Sequence, residues 1–301
     1  AGFIASHLVD SLVELGYKVV VIDNLSTGLR ENLNPKAKFY KVDIRDYKKI
    51  TEIFNKEKPD IVNHHAAQID VRKSTSDPMY DAECNIVGSL NLILNSRQQK
   101  VKRFIYISSG GAIYGNVPKK DIPIKEDYPA HPISPYGASK YAVEHYLYLE
   151  NYLYNLSYIT LRYSNVYGPR QNPKGEAGVN AIFIGNMFRN KKCTIFGDGS
   201  KTRDYVYVKD VVRANILAME SDFVGAVNIG TSAQISDQEV FDTIKSVIGY
   251  KGEPVYADFR PGEVMHIALD ITRARRVLNW KPEYTYERGI RETVKFFKDE
   301  M

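Results

Sequence analysis

Apolar residues recur at helical spacing from the first positions of the chain. Ile4, Leu8, Leu12 and Leu15 fall on one face of residues 1–16, and Gly16 ends the pattern. A short apolar run, residues 17–23 (YKVVVID), then closes on an acid, as a buried strand would. From there the pattern alternates. Strands are expected near 38–42, 60–64, 103–108 and 158–162, and helices near 47–58, 77–99 and 134–155. Strands separated by helices of this length argue for βαβ units and a parallel, doubly wound α/β sheet, whose ligands sit at the carboxyl ends of the strands.

The opening helix fits a dinucleotide-binding (Rossmann) unit, in which a helix follows a strand and a glycine-rich turn, with an acid about 20 positions further on. Gly2 and Ala5 suit the second and third places of G-x-x-G-x-x-G/A, and Asp23 lies 21 positions after Gly2. The first strand and the first motif glycine are therefore expected before Ala1. Asp23 could accept hydrogen bonds from ribose hydroxyls, and no basic residue stands beside it, which favours NAD over NADP. A plain strand-ending turn is the alternative for Asp23. Ala66 and Ala67, after the strand ending at His64, are small enough to let a flat cofactor approach the backbone.

The sharpest candidate chemistry lies in residues 134–140, SPYGASK. Tyr136 and Lys140 are four apart, so on a helix the phenol and the ammonium share a face. A fixed cation lowers a phenol below its usual value near ~10, and Tyr136 could then act as a general base near neutrality. Spacing alone does not single it out, because Tyr205 and Lys209 have the same spacing. Context does. Tyr136 opens a helix after a strand ending in Ser108 and Ser109, followed by Gly110 and Gly111, whereas Tyr205 lies in an alternating, strand-like segment. A serine there could hold the substrate oxygen whose proton Tyr136 removes.

Composition narrows the rest. The chain has 301 residues, 44% of them hydrophobic, and a net charge of +5 spread over interleaved Lys, Arg, Asp and Glu. No basic stripe or motif points to nucleic acid. Cys84 and Cys193 stand in no metal or disulfide pattern and the six histidines are scattered, which fits a reducing, cytoplasmic setting and no metal site. No apolar run is long enough for a membrane span.

Taken together and in order, AGFIASH, VIDNLSTG, HAAQIDVRKS, SSGGAIYG, SPYGASK, LRYSNVYGPRQ, GDGSKTRDYVYVKD and RPGEVMHIALD resemble the extended short-chain dehydrogenase/reductase family, most closely its UDP-glucose (UDP-galactose) 4-epimerase branch. The resemblance covers nearly the whole chain. It implies a Rossmann domain over residues 1–165, with 203–230 returning to it, and a smaller C-terminal nucleotide-sugar lobe from 166–202 and 231–301. It places Gly2, Ala5, Asp23, Asn24, Asp43, Ile44, Ala66, Lys140 and Tyr163 at NAD. It makes Ser109, Tyr136 and Lys140 the catalytic group, with Ser109 preferred over Ser108 on the assumption of a one-residue loop insertion. Asn165, Val179, Arg203, Arg260 and Asp270 would meet the UDP-sugar, although Asp270 could equally cap a helix starting near Thr272. Related dehydratases and decarboxylases carry an acid just after the catalytic serine. Gly110, Gly111 and Ala112 carry none here, which favours inversion at C4 through a 4-keto sugar. Epimerisation of UDP-glucuronate or a UDP-N-acetylhexosamine, with Ile267 near the hexose, and a non-catalytic NAD-binding sensor or scaffold are the competing readings. The resemblance also implies a homodimer, and Tyr146, Leu149 and Leu153 share a helical face that could serve it.

Overall fold

The computed structural model describes residues 1–173, 178–259 and 264–300. In chain order the first half runs α1 (Phe3–Glu14), β1 (Val20–Asp23), β2 (Lys38–Lys41), α2 (Tyr47–Glu57), β3 (Ile61–His64), α3 (Val71–Ser76), α4 (Pro78–Ala82), α5 (Gly88–Gln98), β4 (Arg103–Ser109), α6 (Gly110–Ile113), α7 (Pro135–Tyr154), β5 (Tyr158–Tyr163) and β6 (Asn165–Tyr167). The second half runs α8 (Val179–Phe188), β7 (Thr194–Phe196), β8 (Thr202–Arg203), β9 (Tyr205–Tyr207), α9 (Val208–Glu220), β10 (Gly225–Ile229), β11 (Ile235–Ser236), α10 (Asp237–Ile248), β12 (Val255–Ala257), α11 (Thr272–Leu278) and α12 (Tyr286–Asp299). The expected helix at 77–99 is observed as α4 and α5 joined by a π-helical turn, Glu83–Val87. The short α3 before it has no counterpart in the sequence expectations.

The sheets are parallel where the βαβ pattern demands it. β10, β5, β4 and β3 lie side by side in that order, all parallel, and β1 pairs in parallel with β2. β4 shows why the sheet is buried on both sides. Phe104 and Tyr106 face a core with α2, α5 and α7, contributed by Ile50, Phe54, Leu92 and Val143, while Ile105 and Ile107 face Val211, Ala214, Ala274 and Trp280. On the latter side α1 packs on α9 through Leu8, Leu12 and Val212. A third core joins α8, α10 and α12 around Tyr167, Phe183, Ile184, Phe241 and Ile290.

Two buried carboxylates fasten the C-terminal segments to this frame. Asp204 is fully buried and accepts from the backbone amides of Thr231 (2.8 Å), Ser232 (3.2 Å) and Leu269 (3.1 Å) and from the Thr231 hydroxyl (2.7 Å). Asp210 accepts from the amides of Glu283 and Tyr284 at 2.9 and 3.1 Å, while its own carbonyl takes the Trp280 indole N–H at 2.9 Å. Such multiply satisfied acids hold irregular chain in place without exposing backbone to apolar surroundings.

A buried ion pair joins β5 to α7. Arg162 donates to both Glu144 oxygens at 2.6–3.1 Å, to the Tyr114 hydroxyl at 2.8 Å and to the Glu126 carbonyl at 2.9 Å. Both charges are almost completely buried. Glu144→Leu leaves that guanidinium without its counter-charge and is expected to cost about 3–5 kcal/mol. The urea midpoint of unfolding measures the loss, and an unchanged midpoint would contradict the role of the pair.

Candidate active site

β3, β4 and β5 are neighbouring parallel strands, and α7 packs on β4 and β5. The sequence makes α7 begin where it does: Ser134 is the N-cap, its hydroxyl accepting from the Gly137 amide at 3.1 Å, and Pro135 occupies the first turn. Tyr136 is thereby placed in the first turn, and its own amide donates to Ser74 Oγ of α3 at 3.1 Å. Gly137 has a packing reason. A Cβ there would run into the Ala112 carbonyl oxygen and lie 3.0 Å from Pro132 Cβ. The helix therefore passes close against the chain that follows Ser109.

Of the two candidate serines, Ser109 is the one whose side chain acts on the Tyr136 hydroxyl, whereas the buried Ser108 hydroxyl has no partner among the described residues. Burial of the Tyr136 hydroxyl pushes it up to about 12, against the lowering effect of the Ser109 side chain, and the negative charge of Asp81 adds to the rise. Lys140 is buried, and its ammonium donates to the Ile107 carbonyl at 2.8 Å and lies 5.1 Å from the Tyr106 ring centre. Desolvation brings it down to about 8, while Asp81 and Glu144 oppose that shift. Desolvation is the largest influence on Tyr136, and the Lys140 ammonium is engaged by β4.

The candidate cofactor residues lie at the start of α1 and along α1, on α7, and at or just after the ends of β1, β2, β3 and β5. α1 starts at Gly2 with no side-chain cap, and a Cβ on Gly2 would meet nothing within 4 Å. The Ala1 nitrogen lies 3.0 Å from Asp23 Oδ2, so the amino end of α1 and the acid ending β1 are adjacent. A helix amino end beside a strand-ending acid suits a pyrophosphate and a ribose diol, which is what a dinucleotide presents. Asn24 donates to Asp43 at 2.9 Å, and Arg45 bonds both oxygens of Asp43 at 2.9–3.0 Å, holding that carboxyl down at about 2. Ile44 packs against Gly88 so closely that a Cβ would not fit, and its carbonyl accepts from Asn91 at 2.9 Å. Tyr163 ends β5 with its hydroxyl 2.5 Å from Asn215 Nδ2 and 3.5 Å from His65 Nε2; burial drives it well above the ordinary phenol value. Ala5 lies on α1, and Ala66 on the chain leaving β3. These residues fit NAD.

On the opposite side of Ser109, Gly111 lies between the Ser109 hydroxyl and Asn165 Oδ1; its Cβ would sit 3.9 and 3.8 Å from them. Gly110 is packed under Leu269, which ties the segment 264–271 to the catalytic loop. Ile267 lies with Ile113, Tyr114, Ile124 and Leu269 in one buried cluster. Val179 opens α8, and Arg203 on β8 donates to the Thr202 carbonyl at 2.8 Å and the Met265 carbonyl at 3.5 Å. Asp270 Oδ1 accepts from the Thr272 amide at 2.8 Å, the helix-start geometry weighed against a ligand role. Arg260 lies outside the described residues.

A polar hub behind Tyr136 and Lys140 escaped the sequence reading. Asn85, in the π turn, donates to the Gln68 carbonyl (3.0 Å), Asp81 Oδ1 (3.0 Å) and Ser139 Oγ (3.2 Å), and its own oxygen accepts from the Gln68 amide (2.8 Å). Ser139 in turn donates to the Tyr136 carbonyl at 3.0 Å. The available signal was a polar D-A-E-C-N run inside an otherwise apolar helical stretch.

Residues 1–230 match the family described as the NAD dependent epimerase/dehydratase family. The UDP-glucose 4-epimerase of Mycolicibacterium smegmatis is 43% identical over 305 residues, covering 99% of this chain and 96% of the relative. Among solved structures, a UDP-glucose 4-epimerase of Thermotoga maritima with UDP-glucose superposes with a TM-score of 0.98 at 49% identity, covering 100% of this chain and 97% of the other. That of Thermus thermophilus in complex with NAD gives 0.95 at 40% identity, with the same coverage.

The close passage of α7 against residue 112 makes Gly137 a sensitive position. Gly137→Val is expected to displace the first turn of α7 and destabilise the fold by about 1–3 kcal/mol, the cost typical of overpacking. Thermal unfolding beside the wild type checks it; an equally stable variant would mean the contact yields freely.

Proposed function

The chain belongs to the NAD dependent epimerase/dehydratase family, and from that membership and the Ser109–Tyr136–Lys140 arrangement we propose that it is an NAD-dependent enzyme inverting C4 of a UDP-hexose, interconverting UDP-glucose and UDP-galactose through a 4-keto sugar. The observation carrying this reading is that Ser109, at the end of β4, and Tyr136, in the first turn of α7, come together, so that the Ser109 side chain acts on the Tyr136 hydroxyl. Ser109 and Tyr136 hold the C4 oxygen between two hydroxyls, and Tyr136 takes its proton and later returns it. Bound NAD supplies the hydride acceptor and donor, and its positive ring favours the phenolate. Lys140 adds its charge from below. With no acid in residues 110–113, the loop offers no second proton-transfer group for water elimination.

NAD is assigned to Gly2, Ala5, Asp23, Asn24, Asp43, Ile44, Ala66, Lys140 and Tyr163, and the UDP-sugar to Asn165, Val179, Arg203, Arg260 and Asp270. Residues 1–165 with 203–230 form the cofactor domain in this reading, and 166–202 with 231–301 the sugar lobe. The protein works in the cytoplasm, an assignment supported by two free cysteines; among the described residues no helix is long and apolar enough to cross a membrane. It acts as a homodimer. The outer face of α7 exposes Tyr146, Tyr148, Leu149, Tyr152 and Leu153, with Val87 exposed at the head of the neighbouring helix α5, an apolar surface suited to a second copy.

Tyr136→Phe keeps the ring and loses the proton carrier, so turnover of UDP-galactose followed by NMR should fall by about 10²- to 10⁴-fold while NAD stays bound. Full activity in that variant would sink the assignment. The same assay with UDP-N-acetylgalactosamine sets the sugar preference, with UDP-galactose expected to be faster.

Tyr152→Glu with Leu153→Glu places charge on the exposed face of α7. Sedimentation should show a dimer for the wild type and a monomer for the double variant; a monomeric wild type would remove the dimer from the proposal.

A further inference from the structure

The reaction proposed above leaves unexplained a buried carboxylate behind the catalytic pair. Asp81, on α4, is 1% exposed. Its Oδ1 accepts from Gln68 Nε2 at 2.9 Å and from Asn85 Nδ2 at 3.0 Å, while its Oδ2 meets no hydrogen-bond donor among the described residues. A buried and half-satisfied acid is costly to maintain and persists where a nearby positive charge compensates it.

The groups around Lys140 identify that charge. Glu144, one turn further along α7, has both oxygens taken by Arg162. His64 and His65, at the end of β3, are held neutral by burial and by the Lys140 charge itself. Tyr106 on β4 and Tyr136 on α7 are phenols raised by burial. Among these groups Asp81 is the carboxylate not already neutralised by a cation of its own, and its charge acts on Lys140, Tyr136 and Tyr106 alike.

We infer that Asp81 is a positioning residue of the catalytic site: through Gln68 and Asn85 it locks the chain after β3 to Ser139 of α7, and its unpartnered oxygen places a buried negative charge behind Tyr136 and Lys140. This inference deepens the proposed function and rests on it for its catalytic meaning. The sign is fixed. A neighbouring negative charge favours the protonated forms of both Lys140 and Tyr136, so removing it lowers the titration midpoints of both.

Asp81→Asn separates charge from shape. The amide oxygen can remain at Oδ1 as acceptor for Gln68 and Asn85, and the amide nitrogen takes the place of the unpartnered Oδ2. Lysine side-chain carbon NMR on the full chain, with the Lys140 signal assigned by its loss in Lys140→Met, should show the Lys140 midpoint falling by about one pH unit or more from about 8. The alkaline limb of kcat against pH for UDP-galactose should move the same way, with KM unchanged. Asp81→Glu, which keeps the charge, should retain the wild-type midpoint. An unmoved Lys140 midpoint in Asp81→Asn, or an equal shift in the Asn and Glu variants, overturns the inference. If Asp81→Asn fails to fold, Asp81→Ser replaces it, and failure of both neutral variants beside a folded Asp81→Glu overturns it in favour of a purely structural role. A wild type without epimerase activity defeats the functional reading alone, because the NMR midpoint still decides the role of Asp81.

Discussion

A single buried hydrogen bond, from the Lys140 ammonium to the Ile107 carbonyl, sets the terms for the catalytic half of the molecule. An ammonium out of water must be held by acceptors and compensated by charge. β4 provides the acceptor near its carboxyl end, two residues before Ser109, which means that α7 is docked on β4 by the same residue proposed to serve the chemistry. Ser139, beside Lys140, then joins the helix to Asn85 and thereby to the chain after β3. Cofactor edge, catalytic helix and central strand are held at mutually fixed distances by these few bonds.

The electrostatics explain why neither half of the Tyr136–Lys140 pair suffices alone. Desolvation acts on the two groups in opposite senses, disfavouring phenolate and ammonium alike. The ionised pair is thus unfavourable in the protein by itself.

Much of this was legible in the sequence. The alternation of apolar runs located β1 to β5 and α1, α2 and α7 within a few residues, because helices and strands of a doubly wound sheet bury apolar positions at their own periods. SPYGASK carried its own cap, proline and packing glycine. The hub at Gln68, Asp81, Asn85 and Ser139 was not legible: hydrogen bonds between elements leave no periodic trace, and a polar residue in a helix looks solvent-facing until its neighbours are known. The burial of Tyr136 and Lys140 was not legible either, since spacing reveals which groups are adjacent but not how deeply each is buried.

The π-helical turn at Glu83–Val87 carries a consequence for how this chain can vary. A wide turn holds one residue more than the α-helix around it, and each residue in an α-helix advances the face by about 100°. Asn85 meets Ser139 of α7, while Ser89, one turn further on, meets His64 of β3. Deleting one residue there would regularise the helix yet swing its first part off the active site, so a change that improves local geometry would dismantle the hub. The length of this turn is therefore tied to the contact Asn85 makes with α7.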